Sequence, residues 1–434
     1  MHNHLYRALR SASRQLQSVA APEWTFSRSW LRVVGEVLEV ETGVLQVCES
    51  SQAATAGASS VLALHCSAGA QEQWVELAGA LRRQQAEAIA AYDAGDSPTA
   101  PIWSTPRAIS APAFFGYGST SPWPFPLGVG KPQQIQDLVR VMITAAAAAH
   151  ATREVEEEGL DPTQYINLLR DLGVSTKRLE THFFEGQTTT SLEKALVDEK
   201  SALGISMSAL SHMSSSRGSV PAIAASAPPR WRLLGQQMGA AVAVQALLSE
   251  PKFGGSLDSI VLFEPAAFAL LCDPRCQDKN AAREYESFVN SLVSHAKAQN
   301  WDDWASVYLK FWSCAQDGHA LREKESEQLV ATALSTTHDC VANLEAMATA
   351  SSNSLASTAA VDALAALRCP KHVIVSSDTA GGACAAVAQL LNKHAGFCVH
   401  TTPGGHLAPY THASTVMPLI AKCLLDMTPP AVYP

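Results

Sequence analysis

Trp231-Arg232-Leu233-Leu234-Gly235-Gln236-Gln237-Met238-Gly239-Ala240-Ala241-Val242-Ala243-Val244 is the stretch on which the fold of this chain turns. Its first four residues form a short apolar run of the kind that makes a buried strand. A helix of small residues follows, over about 238–248. Gly235 and Gly239 frame the junction between the two, two residues to either side of Gln237.

Outward from this unit the same alternation repeats. Upstream, residues 61–64 (Val-Leu-Ala-Leu, ending at His65) read as a buried parallel strand, and 74–94 as a helix with Leu77, Leu81, Ala88 and Ile89 inward. Residues 107–112 read as a further strand before the Gly-rich turn Phe115-Gly116-Tyr117-Gly118, and 133–153 as a helix. Downstream, 259–263, 372–376 and 397–400 read as strands, and 382–393 and 413–425 as helices. Ahead of them all, 31–41 and 43–48 read as a β-hairpin turning at Thr42-Gly43. Strands alternating with helices predict an α/β fold with a doubly wound, mostly parallel sheet. Right-handed crossovers put the strand C-termini on one edge, where the loops after Leu64, Leu234, Phe263 and Ser376 meet the loop Gly404-Gly405-His406.

Two segments depart from this rhythm. Residues 154–229 combine an acidic run, short helices and a Ser/Ala/Pro-rich tract, and read as an insertion. Residues 272–358 read as a mostly helical cap, with Trp301, Trp304, Tyr308, Phe311 and Trp312 spaced as one helix face, a hydrophobic seam. The expected organisation is therefore an N-terminal extension (1–30), a first core block (31–153), the insertion (154–229), a second core block (230–271), the cap (272–358) and a third core block (359–434).

With 434 residues, 47% hydrophobic and 16% charged, the chain can bury a large core. A net charge of −9 gives no basic footprint for nucleic acid. No apolar run is long enough to span a membrane. The ten cysteines are scattered and read as reduced thiols. Cys272 and Cys276 are the only close pair and complete no zinc pattern, so neither a metal nor a cofactor is expected. Residues 1–22 carry Arg7, Arg10, Arg14 and several serines, with no acidic residue before Glu23. This composition is transit-like and points to a mitochondrial location, with an ordinary amphipathic helix in a cytoplasmic protein as the alternative.

Five loops, in order along the chain, resemble those of the α/β-hydrolase superfamily. The run from Leu64 to Gly69, followed by Gln73-Trp74, resembles its oxyanion loop, with Cys66 where a glycine is usual. The run from Ala111 to Ser119 resembles its Asp-x-x-Gly-x-Gly-x-Ser loop, with Ala113 for the aspartate. Gly235 to Gly239 resembles the nucleophile elbow, Phe263-Glu264-Pro265 the turn after the next strand, and Pro403 to Leu407 the histidine loop. The resemblance implies a catalytic histidine at His406, an acid at Asp378 or Glu264 within hydrogen-bond reach of it, and oxyanion donors at the N–H groups of Ser67 and Met238. It also implies that the nucleophile position holds Gln237.

That last residue decides the functional expectation. A carboxamide nitrogen has a delocalised lone pair, so it neither attacks a carbonyl nor is activated by an imidazole. Cys66 reads as a buried thiol on a loop, and His65 as a brace of that loop. The expectation is a catalytically impaired hydrolase-like protein, a structural or accessory subunit of a multisubunit assembly such as a respiratory-chain or ATP-synthase complex. Its partner-binding element is expected in residues 154–229, rooted on the sheet edge opposite His406. The alternative is an enzyme that uses a histidine–acid dyad as a base without a covalent step.

Overall fold

A computed structural model describes residues 24–33, 36–47, 59–69, 71–94, 106–117, 120, 230–249, 254–255, 257–278, 280–312, 329–352, 354–379 and 382–426. The transit-like segment, the expected helix at 133–153 and the insertion at 154–229 lie outside the described residues.

The core is one eight-stranded sheet. Its strands are β1 (Trp24–Val33), β2 (Glu36–Gln46), β3 (Ser60–Leu64), β4 (Ala108–Pro112), β5 (Trp231–Gln236), β6 (Leu257–Phe263), β7 (Lys371–Ser376) and β8 (Cys398–Thr402). They lie in the order β1-β2-β4-β3-β5-β6-β7-β8. The β1–β2 and β2–β4 pairs are antiparallel, and every other pair is parallel. Strand β3 pairs with β5, 171 positions further along the chain, through the register Leu62↔Leu233 and Leu64↔Gly235. This doubly wound, mostly parallel sheet is the α/β-hydrolase fold that the loop motifs imply.

Burial follows from the strand sequences. β3, β5 and β6 are buried along their whole length, as central parallel strands covered on both faces must be. On one face lie α1 (Val75–Asp93, after a 3-10 turn at Gln71–Trp74) and the final helix. There Leu77 and Leu81 meet Ile109, Leu234, Ile374, Met417 and Ile420. On the other face α2 (Met238–Ser249) brings Val242 and Ala243 against Leu233 and Leu262. The cap adds α3 (Ala281–Lys297), α4 (Trp301–Trp312), α5 (Ala333–Ser352) and α6 (Ser354–Ala365) to that second layer. The chain closes with α7 (Gly382–Ala395), the short α8 (Ala408–Thr411) and α9 (Ala413–Leu425). The aromatic face of α4 is a seam in the core: Trp304, Tyr308 and Trp312 are fully buried, and Trp304 stacks on Tyr308 at 5.3 Å.

The structure corrects the hairpin. The β1–β2 register runs from Trp24↔Leu45 to Val33↔Glu36, so the strands pair from Val33 and Glu36 outward and Thr42-Gly43 sits inside β2. Gly43 is there for packing: a Cβ on it would lie 2.7 Å from the Trp24 ring. The sheet thus begins at Trp24, inside the span 1–30 expected to be an extension. Among the described residues no helix is long and apolar enough to cross a membrane, and the cysteines are free thiols.

Candidate functional site

The elbow is built from backbone constraints. Gln237 has φ +47°, a left-handed conformation that costs a non-glycine residue roughly 1–3 kcal/mol. The surroundings hold it there. Its N–H donates to the Phe263 carbonyl (2.9 Å), and its own carbonyl accepts from the N–H groups of Ala240, Ala241 and Ala266 at 3.0, 3.1 and 3.2 Å. A Cβ on Gly235 would lie 2.6 Å from Ala240 Cα, and one on Gly239 only 2.2 Å from the Leu64 carbonyl oxygen. These two positions are glycine because the first turn of α2 packs directly on β3 and β5.

The Gln237 side chain turns inward and is 2% exposed. Its Oε1 accepts the Ser67 N–H at 2.8 Å. One of the two expected oxyanion donors is therefore already used by a fixed carbonyl-type oxygen of the protein. The other, Met238, opens α2, so its N–H lies in the first helical turn, where no intrahelical carbonyl reaches it.

The loop after β3 is locked from several sides. His65 Nε2 accepts the Phe114 N–H (2.9 Å), so the ring proton is on Nδ1 and is donated to the Cys66 carbonyl (2.7 Å). Burial pushes His65 down to about 4, which keeps the brace neutral. Burial pushes the Cys66 thiol up to about 12, so no thiolate forms near neutrality. Tyr308 of α4 donates to the Ser67 carbonyl (3.0 Å). From α5, Asp339 Oδ2 accepts both the Ser67 hydroxyl and the Tyr117 hydroxyl, each at 2.8 Å. Tyr117 Oη in turn accepts the Ala68 N–H at 3.3 Å. Asp339, 1% exposed, has no sequence motif around it, and only the packing of α5 over the loop after β3 brings it to the site.

His406 is fully buried, and neither of its ring nitrogens has a hydrogen-bond partner among the described residues. Burial pushes it down to about 3. Its ring lies 4.6 Å from that of Trp312. Backbone contacts hold the loop instead: the His406 N–H donates to the Trp312 carbonyl (3.2 Å), and its carbonyl accepts Gln236 Nε2 (3.0 Å). Gln236 Oε1 accepts the Gln73 Nε2 amide at 2.8 Å, which ties the loop to the 3-10 turn ahead of α1.

The expected pairing of His406 with an acid is not there. Asp378 Oδ2 accepts the Gly404 N–H (2.7 Å) and Oδ1 the Ser377 hydroxyl (2.8 Å), contacts that hold the carboxyl below its ordinary range. Glu264, itself at φ +45°, is fully buried and accepts the Ser376 N–H and the Thr379 hydroxyl; burial pushes it up to about 7. Both carboxylates are turned into the backbone of the β7–α7 and histidine loops, so they fasten the loops and leave the imidazole alone.

The folded chain thus brings Gln237, Ser67 and Met238 together at the elbow and buries His406 nearby in the chain of contacts through Gln236. It does not join His406 to Asp378 or Glu264. In this arrangement a glutamine stands at the turn, its side chain takes the Ser67 N–H, and the His406 imidazole has no carboxylate partner among the described residues.

No protein-family model and no curated protein sequence matches the chain. Solved structures resemble it at low identity. A haloalkane dehalogenase loop variant from Bradyrhizobium elkanii matches over 92% of this chain and 96% of its own, at 15% identity and a TM-score of 0.46. A bromoperoxidase from Bacillus anthracis matches over 92% and 100%, at 11% identity and 0.47. A thermophilic esterase from Thermogutta terrifontis matches over 92% and 98%, at 14% identity and 0.44. Nothing about the chemistry of this chain follows from likenesses of this size.

Proposed function

We propose that this chain is a hydrolase-fold protein without hydrolase activity, serving as a structural or accessory subunit of a larger assembly. The observation that carries the first half is the 2.8 Å hydrogen bond from the Ser67 N–H to Gln237 Oε1. An oxyanion hole stabilises charge only if its donors are free when that charge develops. Here a neutral carboxamide occupies one donor permanently, and the residue bearing it stands where a serine would attack. The isolation of His406 points the same way, because a general base needs a partner to fix its tautomer and stabilise its charged form. The histidine–acid dyad reading loses support on the same ground.

The accessory role rests on the sequence: an intact scaffold without catalytic parts, a long insertion at 154–229, and a transit-like N-terminus that favours a mitochondrial assembly such as a respiratory-chain or ATP-synthase complex. Ester hydrolysis by the purified protein is expected at background. Gln237→Ser is expected to restore almost nothing, since His406 still lacks an acid. Turnover by the unmodified protein that disappears in His406→Ala overturns the reading. For the second half, native purification is expected to yield the chain in a stable complex and deletion of 154–229 to release it. A chain that runs alone from its native source refutes the accessory role.

A further inference from the structure

The far end of the sheet carries a second cluster of reactive side chains. Strands β7 and β8 pair in parallel with the register His372↔Cys398 and Ile374↔His400. Side chains alternate along a strand, so His372, Cys398 and His400 share one face of the sheet. Ile374 on the same face packs in the layer formed by α1 and α9. The last turn of α9 supplies Cys423, and Asp426 follows immediately after that helix.

The distances are those of a ligand set. His372 Nδ1 lies 3.0 Å from His400 Nε2, and the ligand atoms of His372, His400 and Cys423 all lie within 4.8 Å of one another. Two nitrogens and a sulfur bound tetrahedrally to zinc lie about 3.3–3.6 Å apart, given Zn–N near 2.0–2.1 Å and Zn–S near 2.3 Å. Small side-chain rotations therefore suffice. His372 and Cys423 are 4% and 2% exposed, so the pocket is largely shielded, while His400 is partly exposed and leaves an entry path. Asp426 Oδ2 stands 3.3 Å from the other nitrogen of His372, within reach of its N–H after a small side-chain shift. A carboxylate behind a ligating imidazole is the usual device for orienting it toward a metal. A hydrogen-bonded histidine pair accounts for the two rings but not for a buried thiol and a carboxylate converging on them.

We propose that His372 Nδ1, His400 Nε2 and Cys423 Sγ form a binding site for a borderline-soft divalent transition metal, zinc first, with Asp426 orienting His372. Calcium and magnesium are excluded by the ligand types, since both take oxygen. On binding, the Cys423 S–H bond breaks and its proton goes to solvent, the proton shared by His372 Nδ1 and His400 Nε2 passes through solvent to the outer nitrogen of its own ring, and the freed lone pairs of the sulfur and both facing nitrogens are donated to the metal, with no change of oxidation state. The fourth position is left to water or the Cys398 thiol. Such a site fastens the edge strand β8 to β7 and to the end of α9, on the sheet edge opposite Gln237. The sequence offered no zinc spacing because the ligands come from three separate elements.

The test uses the full chain, stripped by a chelator and dialysed. One Zn²⁺ per chain is expected by titration calorimetry, with a rise in melting temperature. Co²⁺ is expected to give a thiolate charge-transfer band and tetrahedral ligand-field bands. His400→Ala, at a partly exposed position, and Cys423→Ser are each expected to weaken Zn²⁺ binding at least 100-fold, and Asp426→Asn about 10-fold. The charge-transfer band should vanish in Cys423→Ser and not in Cys398→Ser. No Zn²⁺ uptake by the folded wild-type chain overturns the proposal, as does wild-type affinity in a folded His400→Ala. If Cys423→Ser fails to fold, the Co²⁺ spectrum of wild type against His400→Ala decides alone.

Discussion

The turn after β5, at Gln237, and the loop after β8, at His406, follow two strands of the same parallel sheet, and the structure treats them differently. At the elbow every constraint that makes a strained turn is intact: φ +47° at Gln237, glycines at 235 and 239 with no room for a Cβ, and four backbone hydrogen bonds on residue 237. At the histidine loop the backbone is equally well fastened, through Trp312, Gln236 and Asp378, yet the imidazole has no hydrogen-bond partner among the described residues. The difference separates two kinds of constraint. Packing of α2 on β3 and β5 is a requirement of the fold, so the elbow geometry persists whatever residue stands at its tip. A link between His406 and a carboxylate is no such requirement, and the sheet is formed with Asp378 and Glu264 bonded elsewhere.

The most damaging way to probe this contrast is Gly239→Val. Its Cβ would meet the Leu64 carbonyl at 2.2 Å, and backbone on both sides leaves nothing to move. A loss of about 4 kcal/mol in urea unfolding is expected. A loss under about 1 kcal/mol would mean that the elbow is not a demand of the fold. Asp339→Ala comes next. It strips the acceptor from the buried hydroxyls of Ser67 and Tyr117 and is expected to cost about 3 kcal/mol, with Asn costing about half as much. Gln237→Ala leaves the Ser67 N–H without its acceptor at an unfavourable φ and is expected to cost about 2 kcal/mol. Gln237→Gly should recover about 1 kcal/mol of that, because glycine adopts the left-handed conformation freely. Equal stabilities for Ala and Gly would argue against strain at residue 237.

The histidine loop gives a pH signature of smaller size. His406 sits at about 3 when folded against 6.5 unfolded, so the unfolded chain takes up its proton first. The stability it contributes is complete above pH 6.5 and is lost as pH falls toward 3, with a slope of about 1.4 kcal/mol per pH unit. Glu264 acts with the opposite sign. Raised from 4.5 to about 7, it contributes below pH 4.5 and loses that contribution as pH rises through 7. His406→Phe should therefore flatten the acid side of the stability profile, and Glu264→Gln should flatten the neutral side. Unchanged acid sensitivity in a folded His406→Phe would show that the ring is not buried neutral. The mildest contrast is a glycine with no backbone role. Gly79, in α1, has only the end of Arg83 within reach of a Cβ, at 3.4 Å. Gly79→Ala should stabilise by about 0.5–1 kcal/mol.

Much of this was legible in the chain itself. Short apolar runs alternating with helices fix a parallel sheet, since only strands covered on both faces read that way. The observed β5 and β6 match their expected places to within two residues. The hairpin misled because a Thr-Gly pair carries the same local signal whether glycine makes a turn or makes room for a ring across the strand. Which of the two it is depends on Trp24, a residue some twenty positions away that pairs with Leu45.

The sequence by itself determined the alternation of elements, the small residues around position 237 and the presence of a carboxamide there, because these are properties of neighbouring residues. Only the tertiary structure decided where side-chain polar groups point. Glu264 and Asp378 face loop backbone in place of His406, Gln237 reaches Ser67 across 170 positions, and Asp339 arrives from the cap. His372, His400 and Cys423 likewise meet on one sheet face from three elements. Hydrogen bonds and metal ligands are chosen by distance in space after the backbone is set, and a one-dimensional pattern does not contain that distance.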